Sequence, residues 1–419
     1  MDKIIIEGGK PLNGTIEVSG SKNATLPILA ATLMAEDESI IRGVPDLQDV
    51  VTMVKILRSL GATVTFSDGV VSVKPGRHLE AHAPWKLVST MRASICVLGP
   101  LLARHGRADV SMPGGCIIGP RPIDLHLKGI AALNADISIE HGYVKARAKK
   151  LRGAEIYLGG SFGSSVLATA NVMMAAVLAE GETTIINAAC EPEVEDLARF
   201  LNAMGASVQG AGTHMIRILG VRKLKGAEHR VISDRIEAGT YIVAAAITGG
   251  HLMIKGSDAS HNTALIDKLR QTGVSIATHN GTIDVRGKSV LPVKIATLPY
   301  PGFPTDLQAQ ITALMSVTSG ISVVTEKIYP ERFIHISELG RMGANIFLEG
   351  ASAIVHGVKK LSGAPVMASD LRASAALVLA GLAAQGRTEV HRVYHLDRGY
   401  EKVEQKLAKV GARVWREKA

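Results

Sequence analysis

The chain reads as an α/β protein built from six copies of one folding unit, and three observations carry that reading. An amphipathic helix runs into a short turn and then a strand six times, at Leu60-Gly61-Ala62-Thr63-Val64, Leu133-Asn134-Ala135-Asp136-Ile137, Met204-Gly205-Ala206-Ser207-Val208, Thr272-Gly273-Val274-Ser275-Ile276, Met342-Gly343-Ala344-Asn345-Ile346 and Val410-Gly411-Ala412-Arg413-Val414. The turn positions 61, 134, 205, 273, 343 and 411 lie 68 to 73 residues apart, a period that chance does not hold over a whole chain and that marks a repeat architecture. Each period also contains one run that is apolar nearly all round and one helical run with a polar face. That is the pattern of a buried helix paired with a solvated one.

Each unit is predicted to run strand, apolar helix, strand, amphipathic helix, strand, strand, a βαβαββ order. The apolar helices are Ala24-Thr25-Leu26-Pro27-Ile28-Leu29-Ala30, the runs after Arg92 and Ser165, Tyr241-Ile242-Val243-Ala244-Ala245-Ala246, and the runs after Asp306 and Arg372. The second helices resemble Val194-Glu195-Asp196-Leu197-Ala198-Arg199-Phe200-Leu201, with one polar face. They end where the following residue can take positive φ, which Gly does at little cost and Asn134 tolerates. Residues 3–8 and 14–19 match the strand pair at 352–357 and 364–369, so the chain starts in mid-unit and its last unit lacks those strands. The expected division is therefore a domain of residues 22–231 and a second of residues 1–21 plus 232–419, each of three units, the second closed by the N-terminal strands.

Composition bounds the function. A chain of 419 residues that is 47% hydrophobic and 20% charged is long enough for two or three domains with proper cores. No apolar run reaches the roughly 18 to 20 residues needed to span a bilayer, and Met1-Asp2-Lys3-Ile4-Ile5-Ile6-Glu7 turns polar too early for a signal peptide. No membrane association and a cytoplasmic location are expected, and three cysteines, Cys96, Cys116 and Cys190, do not suggest a disulfide framework. The net charge of +9 suits a polyanion. Yet aromatic residues are only 4%, leaving little to stack on bases, and outside residues 145–152 the basic groups are dispersed. Small phosphorylated ligands are the expected partners, and nucleic acid is not.

Because the unit repeats, equivalent positions can be compared within the one sequence. The apolar helices open on Lys22-Asn23, Arg92, Ser164-Ser165, Arg235 with Glu237, Thr305-Asp306, and Asp370 with Arg372. At or near the start of second helices stand Arg121 with Asp124, Arg332 and Arg398. A helix N-terminus carries about half a positive charge, so a cation there is unfavourable unless an anion arrives. The set is expected to form an anion site shared by both domains. The loop Pro113-Gly114-Gly115-Cys116-Ile117-Ile118-Gly119-Pro120-Arg121-Pro122 is longer than its equivalents, as a lid or binding loop would be. Cys116, five residues before Arg121, is in a setting that favours a thiolate, whereas Cys96 and Cys190 read as packing residues. Fourteen histidines read as scattered, with no His-x-x-x-His or Cys-x-x-Cys ligand pair, lead to the expectation of no metal.

The motifs Ser19-Gly20-Ser21-Lys22-Asn23-Ala24, Pro113-Gly114-Gly115-Cys116, Gly119-Pro120-Arg121-Pro122-Ile123-Asp124-Leu125-His126, Phe303-Pro304-Thr305-Asp306, Asp370-Leu371-Arg372-Ala373-Ser374 and His395-Leu396-Asp397-Arg398-Gly399-Tyr400 carry a resemblance. Over essentially its whole length the chain resembles the UDP-N-acetylglucosamine enolpyruvyl transferases. The resemblance implies two inside-out α/β domains of three βαβαββ units each, the enolpyruvyl transferase fold. It implies transfer of the enolpyruvyl group of phosphoenolpyruvate to the 3-hydroxyl of UDP-N-acetylglucosamine, with release of phosphate, as the first committed step toward peptidoglycan. It further implies that Lys22, Arg121 and Arg398 hold the donor phosphate, with Arg92 and Arg372 nearby and Asp370 in the same group. Asp306 is then the base, and Cys116 the acid and the thiol that fosfomycin alkylates. The sugar nucleotide is expected on Asn23, Pro122, Asp124, Leu125, His126, Arg332 and Ile328, with Ser164, Ser165 and Val166 at its diphosphate.

One stretch departs from that family. Its members carry a Lys and then Ser-Val-Gly at the diphosphate turn, whereas this chain reads Gly160-Ser161-Phe162-Gly163-Ser164-Ser165-Val166-Leu167. Serine hydroxyls and backbone N–H groups are left to bind diphosphate there without a formal charge. The same basic set also suits an enolpyruvyl transferase acting on another nucleotide or on shikimate 3-phosphate, or a non-catalytic polyanion-binding repeat protein. Release of phosphate separates an enzyme from the last of these.

Overall fold

The computed structural model describes residues 2–114 and 123–418. Cys116, Arg121 and Pro122 lie outside the described residues. The helices, in chain order, are α1 Lys22–Ala31, α2 Gln48–Ser59, α3 Trp85–Val88, α4 Leu98–His105, α5 Asp124–Ala132, α6 Val166–Ala176, α7 Pro192–Ala203, α8 Arg235–Thr248, α9 Thr263–Gln271, α10 Gln308–Ser316, α11 His335–Arg341, α12 Leu371–Ala383 and α13 Val403–Lys409. Positive φ occurs at all six turn positions, from 69° at Asn134 to 102° at Gly205, the geometry that each helix-to-strand reversal requires.

The described strands form six four-stranded sheets of one pattern. In one, Lys294–Ala296 runs parallel to Ile321–Thr325, which is antiparallel to Ser352–His356, itself antiparallel to Asn345–Glu349. The N-terminal strands complete two of the sheets. Asp2–Glu7 lies antiparallel between Arg387–His391 and Arg413–Lys418, with Ile4 opposite both Val390 and Arg416, and Asn13–Glu17 lies parallel to His251–Lys255.

The chain divides into two compact units, one from Met1–Ser19 and Ser233–Ala419, the other spanning residues 20–232 in its described part. In the first unit α8, α10 and α12 pack together, and residues 235–247, 308–316 and 372–382 are all buried. In the second, α1, α4 and α6 hold the same place. The sheets cover these helices, burying one face, as in the exposed-buried alternation of Met215–Leu219. Helices inside and sheets outside make this the predicted inside-out α/β architecture. Burying an aliphatic side chain contributes about 1.5–3 kcal/mol, so helices apolar on every face are stable only at the centre.

Two helix starts differ from the expectation. Arg92 and Asp306 sit in 3₁₀ segments, Arg92–Val97 and Thr305–Leu307, ahead of α4 and α10. Gly99 gives its N–H to Asn171 Oδ1 and Pro100 has none, so the Ile95 and Cys96 carbonyls lack an i to i+4 donor, and Ile95 accepts the Leu98 N–H at i to i+3 instead. Arg398 ends a further 3₁₀ segment, Val393–Arg398, and Arg332 precedes α11. Helix dipoles act over the first turn of an α-helix and so explain these cations less well than they explain Lys22.

Candidate active site

In the unit that holds both chain ends, three of the residues named from sequence meet. Asp306 accepts from Arg332 Nη1 at 2.9 Å on Oδ1 and from Arg372 Nη2 at 3.0 Å on Oδ2. The carboxylate is 27% exposed while the two guanidinium side chains are 7% and 4% exposed. Burial alone would raise the Asp306 carboxyl, but Arg372 and Arg332 outweigh it and hold it well below the usual carboxylate range. Burial pulls likewise against the charge on Arg372, and Asp306 reverses that, so the guanidinium stays protonated.

The chain around these groups is organised to present them. Asp370 caps α12, its Oδ1 accepting from the N–H groups of Arg372 and Ala373 at 2.9 and 3.1 Å. The buried Glu326 accepts from Thr297 Oγ1 and from the N–H groups of Ile328 and Tyr329, and its other oxygen accepts from Thr305 Oγ1 at 2.9 Å. Thr305 Oγ1 in turn accepts from Arg332 Nη1. Glu326 thus ties together the loop that carries Ile328 and Arg332. His395 is pulled below its ordinary value first by burial and then by Arg398, with Asp370 opposing, which places Arg398 within electrostatic reach of that ring.

In the other unit, Lys22 opens α1 and its Nζ lies 3.4 Å from Asp49 Oδ2, both side chains being nearly buried. Asn23 follows it, part-exposed. Ser21 caps the helix through the Ala24 N–H. Asp124 opens α5 exposed, Leu125 is half-buried and His126 is buried. Burial, then the charge of Arg92, pushes the His126 ring down to about 3. It is neutral at physiological pH. Asn171 holds it: Asn171 Oδ1 accepts the Gly99 N–H at 2.7 Å, and Nδ2 faces the Ile95 carbonyl at 2.9 Å and His126 Nδ1 at 3.1 Å. A Cβ at Gly99 would lie 2.4 Å from the Asn171 carbonyl oxygen, so glycine is needed for α4 to approach α6.

The departing turn is well formed. Gly160 and Gly163 exchange backbone hydrogen bonds at 3.0 and 3.1 Å, Gly163 has φ +94°, and Phe162 is exposed at the tip. Ser164 follows the turn, part-exposed. Ser165 caps α6 by accepting the Ala168 N–H, leaving Val166 and Leu167 in the first helical turn, where N–H groups have no intrahelical acceptor.

Among the described residues, those named from sequence thus fall into two sets, one per unit. Asp306, Arg332 and Arg372 touch directly; Lys22 and Arg92 belong with Asp49 and His126. Missed in the sequence were Asp49, Asn171, Glu326 and the group Thr240, Gln310 and Tyr400 behind Arg372. Asn171 and Gln310 did leave a signal, a buried amide inside an otherwise apolar run, which must find hydrogen-bond partners. Arg235 departs from the expectation of a cation at a helix start awaiting an anion, because Asp234, immediately before it, supplies a carboxylate that accepts the Ile236 and Glu237 N–H groups. Cys96 is buried and pushed up to about 12 by that burial, and Cys190 is also raised by burial, so both are packing residues. The sequence contains two His-x-x-x-His spacings, His78 with His82 and His391 with His395, against the reading of scattered histidines. Neither pair lies on one α-helix, and among the described residues no group of three His, Cys, Asp or Glu is placed to hold a metal ion. No described helix is long and apolar enough to cross a membrane.

Residues 6–407 match the family described as EPSP synthase (3-phosphoshikimate 1-carboxyvinyltransferase). The chain is 56% identical over 419 residues to the UDP-N-acetylglucosamine 1-carboxyvinyltransferase of Geobacter metallireducens, covering 100% of both. It is 54% identical over 415 residues to UDP-N-acetylglucosamine 1-carboxyvinyltransferase 1 of Caldanaerobacter subterraneus, covering 99% of both. Among solved structures, the enolpyruvyl transferase NikO from Streptomyces tendae has a TM-score of 0.89 at 24% identity, over 100% of this chain and 99% of that one. At that identity the likeness is one of fold.

Proposed function

The chain belongs to the EPSP synthase family and, within it, to the UDP-N-acetylglucosamine 1-carboxyvinyltransferases, and from that we infer that it transfers the enolpyruvyl group of phosphoenolpyruvate to the 3-hydroxyl of UDP-N-acetylglucosamine and releases phosphate. The observation that carries this is the identity of 53–56% with eight such enzymes, held over essentially the full chain. The product is the first committed precursor of peptidoglycan. Both substrates are phosphorylated metabolites of the cytoplasm, which is where the reading places the protein.

In this reading Asp306 takes the proton of the sugar 3-hydroxyl as its oxygen attacks C2 of the donor. A carboxylate held low by two arginines is ionised throughout the physiological range and so is always in the accepting form. Cys116 delivers a proton to the methylene carbon. Loss of a proton from that carbon then restores the double bond as the C–O bond to phosphate breaks. Lys22, Arg121 and Arg398 balance the charge on the departing phosphate, with Arg92 and Arg372 beside them and Asp370 fixing the start of α12. The arginine and lysine side chains give the role without a metal or organic cofactor.

Asn23, Pro122, Asp124, Leu125, His126, Arg332 and Ile328 contact the sugar nucleotide. The diphosphate rests on the α6 end, on Ser164, Ser165 and the N–H of Val166. Because Ser165 Oγ already caps the helix, backbone N–H groups carry more of that contact, and the side chain of Leu167 matters less than its N–H.

The test is to incubate the purified protein with phosphoenolpyruvate and, separately, UDP-N-acetylglucosamine, other UDP-sugars and shikimate 3-phosphate, and to measure inorganic phosphate. Phosphate released with UDP-N-acetylglucosamine above the others is expected. Release only with shikimate 3-phosphate, or none with any acceptor, would refute the reading.

A further inference from the structure

Behind Asp306 the polar groups form a chain that fixes the direction of the phenol proton. The Tyr400 side chain is 2% exposed, and its hydroxyl lies 3.2 Å from Arg372 Nη1, 3.2 Å from Gln310 Nε2 and 2.8 Å from Thr240 Oγ1. Gln310 Nε2 also lies 3.2 Å from Thr240 Oγ1, and with one of its two N–H groups on the Asp306 carbonyl it shares the other between the two hydroxyls. The guanidinium and the amide nitrogen can only donate, so neither can take the phenol's proton, which must go to Thr240. The Thr240 hydroxyl can receive it, because it gives its proton to the Ile236 carbonyl at 2.9 Å. Gln310 Nε2 also donates to the main-chain carbonyl of Asp306 at 2.9 Å. The phenol is therefore linked to Asp306 twice, through the backbone by Gln310 and through the carboxylate by Arg372.

We propose that Tyr400 is a positioning residue of the transfer reaction: its hydroxyl pins one edge of the Arg372 guanidinium so that the other edge holds the Asp306 carboxylate turned toward the acceptor hydroxyl. The proposal rests on the reading of Asp306 as the base. A guanidinium is suited to the task because its N–H groups form a rigid fork, so fixing Nη1 fixes Nη2. An ammonium at this position has no second arm to transmit the constraint. Thr240 is the acceptor that keeps the phenol proton out of the way of Arg372, and Gln310 stops the ring from sliding along α10.

The test uses the full-length protein and phosphate release from phosphoenolpyruvate and UDP-N-acetylglucosamine. Tyr400→Phe is expected to lower kcat about 10- to 100-fold, the scale of a catalytic group slightly misplaced, with KM for the sugar nucleotide within about twofold. In an Arg372→Lys background the same loss of the phenol hydroxyl is expected to change kcat by less than about twofold, because residues acting through one contact are not additive. An equal factor in both backgrounds would overturn the proposal, as would an unchanged kcat with only a lower Tm. If Tyr400→Phe does not fold, Thr240→Val supplies the same loss of order and Thr240→Ser its rescue. A Thr240→Val enzyme with the wild-type kcat would overturn the proposal as well. Asp306→Asn, run alongside, separates the two readings. Full activity in that variant removes the base itself, whereas an inactive Asp306→Asn beside a fully active Tyr400→Phe leaves the base and removes Tyr400.

Discussion

The two units put different chemistry on equivalent central helices. Around α10 and α12 the polar groups are charged: Asp306 between Arg332 and Arg372, with Tyr400 and Gln310 behind. Around α4 and α6 the hydrogen-bonded groups are neutral, Asn171 bridging Gly99, Ile95 and His126, and Arg92 adds a charge that acts on the ring. The fold is the same, so the contrast comes from a few polar side chains set into apolar helices. A charged lattice holds its members by strong fields and suits the handling of anions. A neutral amide gives up less when broken, and what it fixes is direction. The Gly99 N–H requires the Asn171 oxygen, so Nδ2 faces His126 Nδ1, and the ring proton is left on Nε2.

The largest expected effect lies in the charged centre. Asp306→Asn is expected to lower kcat by about 10²–10⁴, the usual contribution of a positioned acid–base group, as read by phosphate release at saturating substrates. It also leaves Arg332 and Arg372 without the carboxylate that bridges them, and stripping one partner from a buried ion pair costs about 3–5 kcal/mol. Chemical denaturation should show that loss separately from the rate. A variant with wild-type stability and rate would mean that the two arginines, not the carboxylate, define this centre.

The neutral centre should respond on stability first. Asn171→Leu leaves the Gly99 N–H and His126 Nδ1 buried without their partner, at about 1–3 kcal/mol for each unsatisfied group before relaxation, while the Ile95 carbonyl keeps the Leu98 N–H. A total of about 2–4 kcal/mol is expected in the denaturant midpoint, together with a rise in KM for the sugar nucleotide if His126 contacts it. An unchanged midpoint would show that solvent reaches these groups and that the contrast between the centres is smaller than the geometry indicates.

What sequence made legible follows from what backbone physics forces. Positive φ after each second helix needs Gly or Asn, so Gly61, Asn134, Gly205, Gly273, Gly343 and Gly411 could be read directly, and with them the six units. Helices apolar on every face could only be central. Charged residues near helix starts were legible too, and Asp306, Arg332 and Arg372 came from that pattern. Their second partners were not, because periodicity does not say which turn of one buried helix meets which turn of another. Tyr400, Gln310 and Thr240 are 160 residues apart at the extremes of one network, and Asp49 meets Lys22 from a different helix. The polar residues inside apolar runs, Asn171 and Gln310, were the available clue. The 3₁₀ starts at Arg92 and Asp306 were not legible either: Pro100 removes one donor at the first, but the loss of the Gly99 N–H to Asn171 is a contact between helices that the residue order does not show.

The smallest effect separates the two centres by pH. His126 has its folded pKa pushed down to about 3 from an ordinary 6.5. Between those values the unfolded chain binds a proton that the folded one refuses, so this contribution to stability is complete above pH 6.5 and is lost as pH falls toward 3. Asp306 is depressed from an ordinary 3.8. Its contribution is complete above that value and is lost only as pH falls further. Between pH 6.5 and 5 the neutral centre is therefore acid-sensitive while the Asp306 carboxylate is not, although His335, pushed down to about 4 by burial, adds a similar slope in the other unit. Where His126 dominates, the slope approaches about 1.4 kcal/mol per pH unit. His126→Gln, which cannot titrate, should flatten Tm against pH over that interval by a few degrees relative to the wild type, and Asp306→Asn should leave the slope as it was. If His126→Gln kept the full wild-type slope, the ring would not be held neutral by its buried place beside Asn171, and the acid response would belong to other groups.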